Sequence, residues 1–204
     1  MGRNLLLFYQ IQETVRIIKK IQKVILMKQK INVNDYAQTI TNALKGGILL
    51  NTNGDKFNAM VIGWGGLGVC WSRQVFTVYI REGRYTRAQL DKTGEFTLSI
   101  PLSGADPMIN RVCGSLSGRD IDKEKEARLT LVEPETNSTP GILEYPLTLE
   151  CKVLYSQKQD LAGIPEAIRN RSYPQDVDSS CPMANRDAHI AYIGEIVDAY
   201  LITE

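Results

Sequence analysis

The side chains best suited to chemistry lie in three short stretches. One is Val75-Phe76-Thr77-Val78-Tyr79-Ile80-Arg81, which continues through Glu82 and Gly83 to Arg84-Tyr85-Thr86. Its β-branched and aromatic residues predict a strand. Thr86, with Gln89 three residues on, reads as a capping box that opens a helix, and Gly94 ends it. Arg81, Arg84 and the Thr86 hydroxyl thus stand beyond a strand end, at a helix N-terminus. Guanidinium forks, a hydroxyl and free helix N–H groups suit a phosphate monoester. A capped surface helix with solvated arginines fits the same residues.

A second stretch is Arg111-Val112-Cys113-Gly114-Ser115-Leu116-Ser117-Gly118-Arg119-Asp120-Ile121-Asp122-Lys123. It reads as a polar loop against a ligand or as a solvated helix start. The third is Asn58-Ala59-Met60-Val61-Ile62-Gly63-Trp64-Gly65. No nucleophilic triad or catalytic carboxylate pair is visible. The single histidine, His189, excludes a His-rich metal site, and no metal is expected. Cysteines at 70, 113, 151 and 181 have neither C-x-x-C nor zinc-finger spacing and read as free thiols of a reducing cytoplasm.

The run from Gly63 to Gly68 matches G-x-G-x-x-G, with Glu82 about 20 residues on. In a dinucleotide fold the third glycine leads into a helix that holds the pyrophosphate. Here the run leads into Val69 to Ile80, rich in β-branched and aromatic residues, so a strand follows. The glycines are expected to serve a turn or bulge that lets the backbone approach a large flat group.

The remaining elements must position these stretches. Asn34 is expected to cap a helix over 35–45, ended by Gly46 and Gly47. Strands are expected at 48–52, 57–64, 75–80, 95–100, 147–155 and 189–201, with an Asn53-Gly54 hairpin between the first two. Asp106-Pro107 should be the N-cap and first residue of a short helix, and 120–128 is charged and helical. Residues 133–140 and 160–187 read as loops with at most short helices. At 204 residues the chain can bury one core without staples.

Residues 1–30 stand apart, with seven basic side chains and one acidic, Glu13. Phe8, Ile11, Val15, Ile18, Ile21 and Ile25 follow helical spacing, opposite Arg16, Lys19, Lys20, Lys23 and Lys28. An extension upstream of a natural start at Met27, a docking helix and a membrane-surface helix all fit. The division expected is 1–27 as an extension and 28–204 as the domain. A net charge of +1 disfavours nucleic acid and anionic membrane as main partners, and no run of about 18 apolar residues predicts a span.

Taken in order, the three stretches resemble the flavin-reductase-like family of FMN-binding split barrels, which includes the flavoredoxins. The family pattern approximates N-x-M-T-I-G-W-G, a strand ending R-x-x-R-Y-T, then C-G-x-x-S-G-R-D-x-D-K and a histidine before an I-G-E strand. The matching residues are Asn58, Met60, Gly63, Trp64, Gly65, Arg81, Arg84, Tyr85, Thr86, Cys113, Gly114, Ser117, Gly118, Arg119, Asp120, Asp122, Lys123, His189 and Ile193-Gly194-Glu195. Val61 replaces a usual threonine, Gln74 a usual proline, and Glu82-Gly83 the usual pair between the arginines.

The resemblance implies a mainly β, antiparallel, Greek-key-like split barrel with peripheral helices. It implies FMN near a homodimer interface, and NADH or NADPH as hydride source for flavin or ferric reduction. The alternative is a non-enzymatic electron carrier reduced by a protein partner. By analogy Arg84 and Thr86 hold the phosphate, helped by Arg81 and Lys123. Backbone at Asn58, Ala59, Met60 and Val61 and at Val75, Phe76 and Thr77 meets the ring. Trp64, Tyr85, Cys113, Gly114 and Ser117 complete the cofactor set, and His189 contacts nicotinamide or is a satisfied histidine at a strand start. Trp64 and Trp71 are expected in the core or an interface, or stacked on flavin. Cys113 is a redox partner or an inert buried thiol.

Overall fold

A computed structural model of the chain describes residues 26–177 and 185–203. The expected amphipathic helix and Cys181 lie outside them. Among the described residues ten strands form: β1 Met27–Lys30, β2 Ile48–Asn53, β3 Phe57–Ile62, β4 Gly65–Cys70, β5 Arg73–Arg81, β6 Glu95–Ile100, β7 Leu131–Val132, β8 Gly141–Ile142, β9 Leu147–Lys158 and β10 His189–Thr203. Eight of them make one sheet in the order β3-β2-β6-β9-β10-β5-β4, with β1 also on β10. Every pairing is antiparallel. The helices are peripheral: α1 Ala37–Gly46, α2 Tyr85–Thr93, α3 Pro107–Ser115, α4 Lys123–Glu126 and α5 Glu166–Ser172.

Strand β5 alternates as a strand with one buried face must. Phe76, Val78 and Ile80 are fully buried, while Thr77, Tyr79 and Arg81 lie on the other face, half-buried. The buried set joins Leu50, Phe96, Leu98, Ile100 and Leu149 in the main core. Strand β2 is buried on both faces, since Leu49 packs into a second core with Ile109, Val112 and Tyr145 beneath α3. Burying each of those aliphatic side chains contributes roughly 2 kcal/mol.

Several local expectations shift. Asn32, not Asn34, accepts the capping bond, from Asn34 N–H, and opens a 3-10 turn over Val33–Tyr36 before α1. Thr86 is not an N-cap: α2 begins at Tyr85, Arg84 is its cap residue, and no side chain caps it. Gln89 turns away from a capping box and accepts from Gly54 N–H at 2.6 Å. The region 120–128 forms only the single turn α4. Strand β3 stops at Ile62, and the glycine run forms a strand of its own, β4. Gly65 is required there because a Cβ would lie 2.6 Å from the Thr77 carbonyl oxygen and 3.0 Å from the Phe76 ring. The β4–β5 hairpin turns on Trp71 and Ser72, both at positive φ (49° and 59°).

Candidate flavin site

Helix α2 delivers Arg84, Tyr85 and Thr86 to one end of the sheet, and α3 delivers Cys113 and Gly114 to the same place. Asp106 sets α3, its Oδ1 accepting from Met108 and Ile109 N–H at 2.8 and 2.9 Å, with Pro107 in the first turn. Between α2, α3 and strand β3 lies a cavity of about 500 Å³. Asn58, Met60, Val61, Arg84, Tyr85, Thr86, Cys113, Gly114, Ser117 and Lys123 border it, with Gly83, Gly118, Arg119 and Asp120. A smaller chamber of about 230 Å³ adjoins it, sharing Met60, Val61 and Arg84 and adding Trp64, Tyr79, Arg81, Asn185 and His189. Two remote sequence stretches and the C-terminal histidine therefore converge on one bipartite groove.

Strand β3 is the wall between them. Among the described residues it pairs only with β2, so no strand covers its outer edge. The Ala59 carbonyl points out along that edge and accepts from Lys123 Nζ at 2.8 Å. By the antiparallel alternation, the Val61 backbone points the same way. Ala59 is itself buried behind the cavity wall.

Strand β5 cannot supply the backbone contacts expected of Val75, Phe76 and Thr77. It is an interior strand, paired with β10 on one side and β4 on the other at all three residues. Phe76 is a core side chain, and none of the three borders either chamber. The strand reaches the groove through Tyr79 instead, two residues along the same face from Arg81.

Arg81 is committed elsewhere. Its guanidinium donates to the carbonyls of Asn185, Asp187 and Ser172 at 2.8 to 2.9 Å and lies over the Tyr173 ring. It fastens the segment after β9 to the sheet, so it is no free phosphate ligand. Among the described residues the Arg84 guanidinium makes a single bond, from Nη2 to Asn185 Oδ1 at 3.1 Å. Arg119, on the larger cavity, donates to the Gly83 carbonyl at 3.1 Å and covers Tyr85.

Lys123 is buried, donating to the Ala59 and Cys113 carbonyls at 2.8 and 2.9 Å. Burial pushes its ammonium down to about 8; Cys113 opposes this and Arg84 adds to it. Burial pushes the Cys113 thiol up to about 11, against the pull of Lys123. Near neutral pH Cys113 is thus a buried protonated thiol, a weak nucleophile. Trp64 and Trp71 are 45% and 60% exposed, so neither is a core residue.

His189 is buried, its ring 4.8 Å from that of Trp64 and its Nδ1 2.8 Å from the Tyr173 hydroxyl. Burial, reinforced by Arg81 and Arg84 and opposed by Asp187, pushes it down to about 4. The unfolded chain therefore binds the extra proton between its ordinary pKa near 6.5 and 4. Stability is present above about 6.5 and is lost as pH falls through that window, by up to roughly 3 kcal/mol. Urea unfolding at stepped pH checks this; in His189→Gln the acid slope is expected to flatten over the same interval.

The donors bordering the larger cavity, on Arg84, Thr86, Lys123 and the start of α2, suit a phosphate-bearing ligand. Asn58 is buried, and its Oδ1 has no hydrogen-bond partner among the described residues. Its Nδ2 donates to Thr86 Oγ1 at 2.9 Å, which leaves the threonine proton free to donate. Gly118 packs tightly against β3 and α2, since a Cβ there would overlap Asn58 Oδ1 and lie 3.0 Å from the Tyr85 ring. The uncapped start of α2 leaves the first helix N–H groups available beside Arg84.

The sheet order defines an antiparallel split barrel with peripheral helices. The sequence matches the flavin reductase like domain over residues 42–204. The chain belongs to that family. It is 32% identical over 100 residues to an uncharacterized protein of Archaeoglobus fulgidus, a match that spans 49% of this chain and 55% of that relative. The fold is shared with the flavoredoxin of Desulfovibrio vulgaris (Miyazaki F), at TM-score 0.55 and 24% identity over 76% of this chain and 68% of that one. It is also shared with the NADH:FAD oxidoreductase of Streptomyces globisporus C-1027, at TM-score 0.56 and 13% identity over 76% and 75%. The mainly antiparallel split barrel with peripheral helices is thus the fold of this chain. Among the described residues no helix is long and apolar enough to cross a membrane.

Proposed function

We propose that the chain is an FMN-binding flavoprotein that takes hydride from NADH or NADPH and serves as a flavin or ferric reductase. The observation that carries the FMN reading is the meeting of the uncapped α2 start, Arg84, the Thr86 hydroxyl and buried Lys123 in one cavity. Bound there, FMN would supply a ring that accepts hydride and releases electrons singly or in pairs.

The residues divide the remaining work. Arg84, the Thr86 hydroxyl and the first α2 N–H groups hold the phosphate, and Lys123 adds charge. The free edge of β3 and the Gly114 backbone meet the ring. Tyr79, Trp64 and His189 form the adjoining chamber for the hydride donor. Hydride transfer needs no protein acid or base, only stacking and exclusion of water. A homodimer suits the exposed Val69, Trp71 and Tyr155 of β4, its hairpin turn and β9. Free Cys70, Cys113 and Cys151 suit a reducing cytoplasm.

The second reading is a non-enzymatic FMN electron carrier with a protein partner. What favours it is the higher identity to the Desulfovibrio flavoredoxin, 24%, than to the NADH:FAD oxidoreductase, 13%. Anaerobic mixing of the FMN-loaded protein with NADH and with NADPH separates the two. Rapid bleaching of the flavin band by either nucleotide is the reductase result; no bleaching with either assigns the carrier role. Arg84→Ala is expected to weaken FMN binding at least about tenfold, the loss of one charge-assisted contact. Unchanged affinity in a fluorescence titration would refute the phosphate assignment.

A further inference from the structure

Two residues beside the smaller chamber, Gln159 and Tyr173, have no task in the reading above, and their hydrogen bonds imply one. The Tyr173 hydroxyl is buried and has a single proton. It donates that proton to Gln159 Oε1 at 3.0 Å and lies 2.8 Å from His189 Nδ1. With the proton spent on Gln159, the phenol oxygen can only accept from the imidazole. Nδ1 must then carry the ring proton, and Nε2 is a bare acceptor.

The ring is held in place on both sides. Trp64 packs on it at 4.8 Å, and Tyr173 meets it edge-on at 5.5 Å. His189 borders the chamber and Tyr173 does not, so the Nδ1 edge faces away from the chamber. Among the described residues Nε2 makes no hydrogen bond. The neutral imidazole expected from the surrounding burial and guanidinium groups agrees with this. Across the chamber stands Arg84, a donor with one bond made.

We infer that Gln159 and Tyr173 are positioning residues that fix His189 as its Nδ1–H tautomer, so that Nε2 offers the chamber an acceptor for the primary carboxamide of a nicotinamide-type hydride donor. A carboxamide has both an N–H for Nε2 and a carbonyl for Arg84. A ketone or carboxylate has no N–H and leaves Nε2 unpaired. The tautomer rests on the Gln159 amide presenting Oε1 to the phenol, whereas the identity of the ligand rests on the reductase reading.

Because the chain has one histidine, a two-bond ¹H–¹⁵N correlation on histidine-labelled, FMN-loaded protein reads the tautomer without assignment work. The wild type should show a protonated Nδ1 and an unprotonated Nε2. In Gln159→Leu the phenol proton is released to Nδ1, and the signal should switch to Nε2–H. A wild-type Nε2–H pattern, or no switch in Gln159→Leu, overturns the tautomer assignment.

The ligand half is read from kcat/KM with NADH against its reduced 3-acetylpyridine analogue, which has the carbonyl but no amide N–H. The wild type should prefer NADH by about tenfold or more, and Gln159→Leu should lose most of that preference while binding FMN normally. Equal use of both by the wild type, or an undiminished preference in Gln159→Leu, overturns the carboxamide assignment. If neither nucleotide is oxidised, the reductase reading falls and takes the carboxamide with it, and the nuclear resonance result still decides the tautomer.

Discussion

Gly118→Ala is expected to cost about 2–3 kcal/mol of stability and, by moving Asn58 and Thr86, to weaken FMN binding about tenfold. The added methyl would overlap Asn58 Oδ1, 2.9 Å from Asn58 Cγ and 3.0 Å from the Tyr85 ring. Asn58 is buried and cannot swing into solvent. To make room it must give up its bond to Thr86 Oγ1, and the loop carrying Arg119 must shift. Such overpacking with a broken buried bond costs about 2–3 kcal/mol of stability, and displacing the Thr86 hydroxyl removes one phosphate contact, about 1.4 kcal/mol or tenfold in affinity. Gly118 does not sit at positive φ, so alanine brings no backbone strain of its own. Gly68→Ala is the matched control, because a Cβ there meets nothing within 4 Å. Fluorescence titration of both variants checks the expectation; equal affinity in Gly118→Ala and Gly68→Ala would contradict it.

Glu150→Ala is expected to cost about 4 kcal/mol of stability while leaving the groove residues untouched. The Glu150 carboxylate is fully buried in β9. It accepts from the N–H groups of Glu135, Thr136 and Asn137, from the Thr136 hydroxyl at 2.7 Å and from the Tyr200 hydroxyl at 2.8 Å. Burial alone would raise its pKa, but these bonds more than offset that and hold it below the usual carboxylate value. Removing it leaves buried donors unpaired and frees the segment between β7 and β8. For a chain of this size the loss is a drop of about 10 °C in melting temperature. Because its folded pKa is lowered, this contribution is full above the ordinary carboxylate range and fades as pH falls through it. Chemical unfolding of Glu150→Ala checks the figure; a loss under about 1 kcal/mol would show that the network is dispensable.

Much of the frame was legible because local chemistry and tertiary context agreed. Asp106-Pro107 and Gly94 mark helix ends that form as read, and 95–100 is a strand to the residue. The motif residues from Asn58, Arg84–Thr86 and Cys113–Lys123 do converge on one cavity. The misreadings have physical causes. Strand β4 hid in a glycine run, and its hairpin turn uses Trp71 and Ser72 in place of the usual Asn-Gly. Thr86 resembles a cap but is an α2 residue whose hydroxyl is bonded to Asn58 from β3, a partner 28 positions away that no local pattern announces. Arg81 looked like an anion ligand because its three carbonyl acceptors come from a region with no periodicity. For the same reason Tyr173, Asn185 and Gln159 gave no signal. Tyr79 could have been found, since period-two alternation puts it on the face of Arg81.

The central claim is that this groove holds FMN. Its most direct test is titration of the purified chain with FMN, followed by the visible flavin absorbance and fluorescence. Saturable uptake of one FMN per chain is expected, with a shifted flavin band and affinity of about 1 μM or tighter, as a desolvated, charge-paired phosphate site implies. An unperturbed flavin spectrum at about 100 μM FMN, with no saturation, would contradict it.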